Sequence, residues 1–126
     1  MCEDIKNLRN NPEKAEHFFA KKLAFSVGPV ELKELSEKET IKIIDVRHRA
    51  DYETAHIPMA ISIPYEEMES RLNELNKDEL HVVYCYNPYC HLGARAAHLL
   101  AKNQIPVMEL CGGFKVWAED FRYTTV

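Results

Sequence analysis

Apolar residues recur along this chain with two different spacings. Short runs rich in Val and Ile predict buried β-strands at Ile41 to Val46, Ala60 to Ile63, His81 to Cys85 and Val107 to Leu110. Apolar positions three and four residues apart predict amphipathic helices, marked by Phe19 and Leu23, Leu32 and Leu35, Met68 and Leu72, Ala96 and Leu100, and Phe114 and Trp117. Because strands alternate with helices, we expect an α/β fold with a mostly parallel central sheet flanked by helices on both faces.

The first amphipathic helix precedes the alternating pattern. Asn11-Pro12-Glu13 is a helix start, with Asn as the N-cap, Pro at the first helical position and an acid in the first turn. Phe18 and Phe19 then fall on one apolar stripe of the helix, which must pack against other residues to be shielded from water. We expect this helix to dock on the rest of the chain, with a homodimer through the helix as the alternative. The sequence therefore divides into an N-terminal helical extension, residues 1–25, and a single domain, residues 26–126.

Size, charge and cysteine content narrow the functional classes. A chain of 126 residues fits one domain, and its net charge of −4 argues against a general nucleic-acid binder, which usually carries a basic face. No apolar run approaches bilayer length, and the acidic start lacks the layout of a signal peptide. We therefore expect no nucleic-acid or membrane partner and a cytoplasmic location. The four cysteines are too few and too dispersed for a disulfide scaffold, so we expect reduced thiols.

The segment from Val82 to Leu100 reads as strand, loop and helix, and it carries the candidate chemistry. Cys85 ends the strand, Pro88 lies in the loop, and Cys90 precedes a helix that begins near Leu92. The carboxyl end of a buried strand, followed by a helix N-terminus, is where open α/β sheets bind ligands. Backbone N–H groups there favour a negative charge such as a thiolate. We therefore predict that this loop holds a nucleophilic cysteine.

Four short motifs follow one another in an order typical of one family. They are Ile44-Asp45-Val46-Arg47, His56-Ile57-Pro58-Met59-Ala60, Val82-Val83-Tyr84-Cys85, and Gly112-Gly113 with Trp117. Together they resemble a rhodanese-like sulfurtransferase domain over about residues 26 to 121. Ala55 and Met59 stand where this family often has Gly, and the loop after Cys85 is longer than usual and holds a second cysteine. The chain is similar in this respect to a rhodanese subgroup with a Tyr-Cys, Pro, Cys loop and a helical N-terminal extension.

The resemblance implies transfer of a sulfane sulfur through a cysteine persulfide, without a cofactor. The implied donor is thiosulfate, another small sulfur-containing anion or a protein persulfide, and the acceptor is cyanide or a thiol. Cys85 is slightly favoured as the nucleophile by its place at the strand end, whereas Cys90 lies nearer the helix N-terminus and is its rival. The candidate substrate-binding residues are Tyr86, Tyr89, His91, Gly93 and Arg95, and the supporting residues are Asp45 and Arg47. A cation in the first helical turn, such as Arg95, is unfavourable by about 0.3–1 kcal/mol unless an anion lies nearby.

Other functions stay open on the sequence alone. A non-catalytic rhodanese-like module can carry sulfur or bind a partner without turnover. A phosphatase of the same fold uses a Cys-x5-Arg loop, a spacing that neither Cys85 nor Cys90 has with Arg95. The two cysteines can also form a redox disulfide, or join His91 in a zinc site that lacks a second ligand pair. Residues expected to have structural roles are Cys111, Phe114 and Trp117 in packing, and His56 in holding its turn.

Overall fold

A computed structural model describes residues 2–38 and 40–126. The strands are β1 (Ser26–Val27), β2 (Ile41–Asp45), β3 (Ile61–Ser62), β4 (Leu80–Tyr84) and β5 (Val107–Leu110). The helices are α1 (Glu3–Arg9), α2 (Pro12–Phe25), α3 (Pro29–Lys38), α4 (Arg49–Thr54), α5 (Tyr65–Met68), α6 (Leu92–Lys102) and α7 (Gly113–Lys115). A 3-10 turn over Glu69–Glu74 continues α5, and a π-helical turn over Val116–Asp120 continues α7.

The five strands form one sheet in the order β1-β5-β4-β2-β3, and every neighbouring pair is parallel. This arrangement confirms the predicted α/β fold. Strand β4 is central, between β5 and β2, so the loop that follows it leaves the middle of the carboxyl edge of the sheet. The sequence pattern did not reveal the edge strand β1, because two residues are too few to show a periodicity.

Neighbouring residues of the central strands face opposite sides of the sheet, and both sides are buried. One side packs against α5 and α6 in a cluster that includes Ile44, Val83, Met68, Ala96 and Leu100. The other side packs against α3 and the turn after α7 in a cluster that includes Ile43, Val82, Leu32 and Trp117, with Phe114 at its margin. Burial on both sides explains why these strands read as continuous apolar runs. Each fully buried Leu, Ile or Val contributes about 1.5–3 kcal/mol to this core.

The N-terminal helices extend from the edge of the sheet. As predicted, α2 begins at Pro12, and the side chain of Asn11 accepts a hydrogen bond from the Lys14 amide at 3.1 Å. The prediction that the rest of the chain covers the apolar stripe is wrong, since Phe18 and Phe19 are 61% and 54% exposed. Strand β1 begins immediately after α2, which leaves no loop on which the helix could fold back. The homodimer through this helix stays a prediction.

Candidate active site

The loop from residue 85 to residue 91 joins the central strand β4 to α6. Asn87 and Pro88 occupy the first two positions of a β-turn, for which these residue types are favoured. The turn is closed by the Cys90 amide, which donates to the Asn87 carbonyl at 3.1 Å. In addition, the Tyr89 amide donates to the Asn87 side chain at 2.9 Å. The turn reverses the chain and returns Cys90 to the end of β4.

This reversal brings the thiols of Cys85 and Cys90 together. Cys85 is 4% exposed and Cys90 is half-buried. The Cys85 thiol donates to the Cys90 carbonyl oxygen at 3.4 Å, and the two thiols are close enough for each to shift the pKa of the other. Backbone N–H groups surround the pair: those of Tyr86 and Gly93 face Cys85, and those of Tyr86 and Leu92 face Cys90. Both cysteines line one cavity of about 240 Å³. The loop therefore holds two neighbouring sulfurs in a shell of amide donors.

The two thiols differ in acidity. Burial raises the pKa of Cys85 to about 11, and its hydrogen bond to Cys90 adds to this rise. For Cys90, burial opposes ionisation, but the Leu92 amide, the Cys85 thiol and the Tyr86 amide together lower its pKa below the ordinary value. A thiolate next to a helix N-terminus gains from the amides in this way. Cys90 therefore ionises before Cys85, whose thiol remains protonated.

A buried polar network anchors the ends of β2 and β4 beneath the loop. The Asp45 carboxylate accepts hydrogen bonds from the Arg47 guanidinium at 2.7 Å and from the Tyr84 hydroxyl at 2.7 Å. Arg47 also donates to the Ala55 carbonyl at 2.7 Å, and its guanidinium lies 4.0 Å from the centre of the Phe114 ring. At 4% exposure Arg47 is enclosed by these partners. The pair therefore links the ends of β2 and β4, and its supporting role for the site stays a prediction.

The turn at Gly112-Gly113 holds the loop from the other side. The Phe114 amide donates to the Cys85 carbonyl at 2.8 Å, and the Lys115 amide donates to the Tyr86 carbonyl at 2.9 Å. Gly113 has φ +66°, and a Cβ there would lie 2.7 Å from the Cys85 carbonyl oxygen. Glycine is therefore required for this close approach of two backbones.

Comparison with known proteins fits this arrangement of sheet and loop. The family model described as "Rhodanese-like domain" matches residues 28–120. The chain belongs to the rhodanese-like family.

Curated relatives and solved structures resemble this rhodanese-like domain over most of its length. It is 35% identical to the putative sulfur carrier protein YrkF of Bacillus subtilis, a match that covers 75% of this chain and 52% of that protein. It is 31% identical to a sulfurtransferase of Allochromatium vinosum, over 67% of this chain and 78% of that protein. The structure of the BH2092 protein from Bacillus halodurans matches with a TM-score of 0.83 and 30% identity, over 92% of this chain and 86% of that one. The chain spans about half the length, or less, of the first curated relatives it matches.

The predicted substrate-binding residues of the rhodanese-like domain lie in different surroundings. Gly93 directs its amide at Cys85. The hydroxyl of Tyr86 donates to the Asp51 carboxylate and accepts from the His48 amide, so this side chain ties the loop to α4.

The remaining candidates lie further out. Tyr89 is 90% exposed at the tip of the loop, and His91 is exposed at the start of α6. Arg95 is also exposed, and it does not line the cavity that contains the two cysteines. Whether these three side chains bind substrate stays a prediction.

The motif around His56 has a structural role that agrees with expectation. The His56 ring stacks on Tyr52 with ring centres 3.7 Å apart, and its Nδ1 lies 2.8 Å from the Tyr52 carbonyl oxygen. Met59, which stands where the family often has Gly, adopts a left-handed φ of 73°. The turn therefore keeps the shape that a glycine would adopt easily.

Cys111 and Glu109 line the cavity but were not identified as site residues from the sequence. Cys111 was expected to be a packing residue, but it follows the end of β5, is exposed and lines the cavity. Glu109, on β5, also lines it. The available signal for Glu109 was a carboxylate within the apolar run of a strand that is covered by helices.

Residues 2–38 and 40–126 contain neither a candidate metal-binding cluster nor a candidate membrane-spanning helix. No three His, Cys, Asp or Glu side chains in this part of the chain cluster in a way that could hold a metal ion. None of its helices is long and apolar enough to cross a bilayer.

Proposed function

We propose that this rhodanese-like domain is a sulfurtransferase that carries a sulfane sulfur on Cys90 as a persulfide, beside the protonated thiol of Cys85. The observation that carries the proposal is the thiol pair in one cavity, of which the half-buried Cys90 has the lowered pKa. A thiolate is the attacking species in such chemistry, and of the two residues Cys90 combines ionisation with access from solvent. The relatives described as a sulfur carrier and a sulfurtransferase support the same chemistry.

The reaction divides into two transfers. In the first, the Cys90 thiolate attacks the outer sulfur of the donor. With thiosulfate, an S–S bond forms on Cys90, the S–S bond of the donor breaks, and sulfite leaves with the electron pair. In the second, cyanide or a thiolate attacks the terminal sulfur of the persulfide, and Cys90 leaves as a thiolate. The amides that stabilise the Cys90 thiolate also stabilise the persulfide anion.

Cys85 has a separate role in this scheme as a hydrogen-bond donor. Its buried thiol remains protonated at neutral pH, because burial raises its pKa to about 11. In the structure this thiol donates to the Cys90 carbonyl, and once Cys90 ionises the same proton can turn to the neighbouring sulfur, which lowers the pKa of Cys90. We expect Cys85→Ser, which keeps a donor, to retain more activity than Cys85→Ala, which removes it.

The contact between the two thiols also favours a second function, persulfide reduction. In this reaction the Cys85 sulfur attacks the inner sulfur of a Cys90 persulfide while its proton passes to the departing outer sulfur, so that a Cys85–Cys90 disulfide forms and hydrogen sulfide leaves. An external thiol must then reduce the disulfide to restore both thiols. This outcome predicts hydrogen sulfide release that depends on both cysteines, whereas sulfur transfer depends on Cys90.

The test is the initial rate of thiocyanate formation from a sulfane sulfur donor and cyanide. We expect wild type and Cys111→Ser to turn over, and Cys90→Ser to fall to the uncatalysed background. Cys111 is the matched control, because it is a thiol that lines the same cavity. Turnover retained in Cys90→Ser and lost in Cys85→Ser would refute the assignment of the nucleophile. A persulfide that forms on the wild type but is not turned over would instead favour the non-catalytic module.

A further inference from the structure

Glu109 brings an additional charge to the cavity that contains the two thiols. Its half-buried side chain lines that cavity together with Cys85 and Cys90. A Cβ added to Gly93 would lie 2.6 Å from the Glu109 Oε2 atom, so the carboxylate rests against the first turn of α6. The absence of a side chain at Gly93 therefore makes room for this carboxylate next to the amide that faces Cys85.

The Glu109 carboxylate is not neutralised by a neighbour. Among residues 2–38 and 40–126 it has no hydrogen bond or ion pair, although the exposed His91 lies near enough to act on it electrostatically. Burial raises the pKa of Glu109, and its negative charge in turn raises the pKa of Cys90. The carboxylate therefore acts electrostatically on the sulfur that we assign as the nucleophile.

The basic residues nearest the loop do not offset this charge inside the cavity. No Lys or Arg of the described chain lines it. Arg47 is enclosed and paired with Asp45, and Lys115 pairs with Asp120 at 3.1 Å. Arg95 is exposed on α6, away from the cavity lining. Attraction for an anion therefore comes from the backbone amides of the loop and of α6, which are directed at the two sulfurs.

We propose that Glu109 is a specificity-determining residue that disfavours dianionic donors such as thiosulfate, and directs the site to thiol persulfides, whose reacting end carries at most one charge. This inference rests on the proposed function and names its donor class. Thiosulfate brings a charged sulfonate into the cavity in addition to its reacting sulfur. Like charges repel each other more strongly in a partly desolvated cavity than in water. A persulfide carries its single charge on the reacting sulfur itself, where the backbone amides of the loop and of α6 can stabilise it.

Two small donors that differ by one charge test the proposal. In the methanethiosulfonate anion a methyl group replaces one oxygen of thiosulfate, while the transferred outer sulfur is the same. The quantity to measure is kcat/KM for each donor, with thiocyanate formation from cyanide as the readout. Because the two transfers are separate, kcat/KM for the donor reports the first transfer. The variants are Glu109→Gln, which removes the charge, and Glu109→Asp, which keeps it. Glu34→Gln is the matched control, since it makes the same charge change at an exposed residue of α3.

We expect Glu109→Gln to raise kcat/KM for thiosulfate about tenfold or more relative to methanethiosulfonate. Glu109→Asp and Glu34→Gln should leave this ratio within about twofold of the wild type. An unchanged ratio in Glu109→Gln overturns the role of Glu109 while the sulfurtransferase proposal stands. A wild type that forms no persulfide with either donor overturns both. If Glu109→Gln does not fold, Glu109→Ser makes the same charge change with a smaller side chain and the same expected result.

Discussion

Substituting Gly113 by Ala tests how the fold holds the cysteine-bearing loop. The new Cβ would lie 2.7 Å from the Cys85 carbonyl oxygen and 2.9 Å from the Asn87 amide nitrogen, and both are backbone atoms. Such distances are too short for a carbon atom, so the loop or the turn must move. The movement separates the Phe114 amide from the Cys85 carbonyl, which are hydrogen bonded at 2.8 Å in the native fold.

Two costs add up in Gly113→Ala. A non-glycine residue in the left-handed region costs about 1–2 kcal/mol, and overpacking a close contact costs about 1–3 kcal/mol. We therefore expect the free energy of unfolding to fall by about 2–5 kcal/mol. The displaced Cys85 thiol also donates less well to Cys90, so the pKa of Cys90 should rise towards its ordinary value.

The assays are urea unfolding and the pH dependence of Cys90 alkylation by iodoacetamide, followed by peptide mass spectrometry. Gly112→Ala is the control, because its φ is also positive, at +87°, but its Cβ would meet the Val116 side chain at 2.1 Å and not the loop. It should lose stability and keep the wild-type alkylation profile. The reasoning is refuted if Gly113→Ala keeps wild-type stability, or if both variants shift the alkylation profile equally.

Three other substitutions test the surroundings of the site. Asp45→Asn leaves the buried Arg47 without its carboxylate, and we expect the free energy of unfolding in urea to fall by about 3–5 kcal/mol. Burial lowers the pKa of His81, so below about pH 6.5 the unfolded chain binds a proton that the folded chain resists. Stability should then fall with decreasing pH by up to about 1.4 kcal/mol per unit, and His81→Gln should remove this contribution in urea titrations at several pH values. Met59 has a left-handed φ of 73° and an exposed side chain, so Met59→Gly should stabilise the fold by about 1 kcal/mol in thermal unfolding.

Each of these expectations has a clear contrary result. Wild-type stability of Asp45→Asn would mean that the ion pair contributes nothing to the fold. For His81, the informative quantity is the difference between wild type and His81→Gln. The raised pKa of Glu109 acts in the opposite direction, but it cancels in that difference. A difference that does not change with pH would contradict the prediction. For Met59, the control is Met59→Ala, which keeps the backbone strain and should not stabilise.

The central sheet was predictable because its strands are buried on both sides. Ile43 and Ile44 face opposite clusters, so both are apolar. Such a continuous apolar run is typical of a strand that is buried on both sides. The start of α2 was equally predictable, because Asn11 and Pro12 specify it locally. The segment after Pro64 was predicted as one helix, but it forms the short α5 followed by a 3-10 turn. An apolar spacing of three to four residues does not distinguish these two forms.

The properties of the site itself depended on tertiary contacts. Position in the chain slightly favoured Cys85 as the nucleophile, whereas the acidity of the two thiols favours Cys90. That difference arises from burial and from the turn that brings the sulfurs together. The spacing of two cysteines in the sequence reveals neither. Glu109 likewise reaches the site because β5 lies beside β4 and because Gly93 leaves space for it.

The central claim, a persulfide on Cys90, is tested most directly by the mass of the intact protein after incubation with methanethiosulfonate or thiosulfate. Cys2 and Cys111 are replaced by Ser throughout, because both are exposed thiols. We predict a gain of about 32 Da, one sulfur atom, in this background and in its Cys85→Ser derivative, removed by cyanide and absent from the Cys90→Ser derivative. A gain that persists in Cys90→Ser and disappears in Cys85→Ser, or no gain in any protein, would contradict the account.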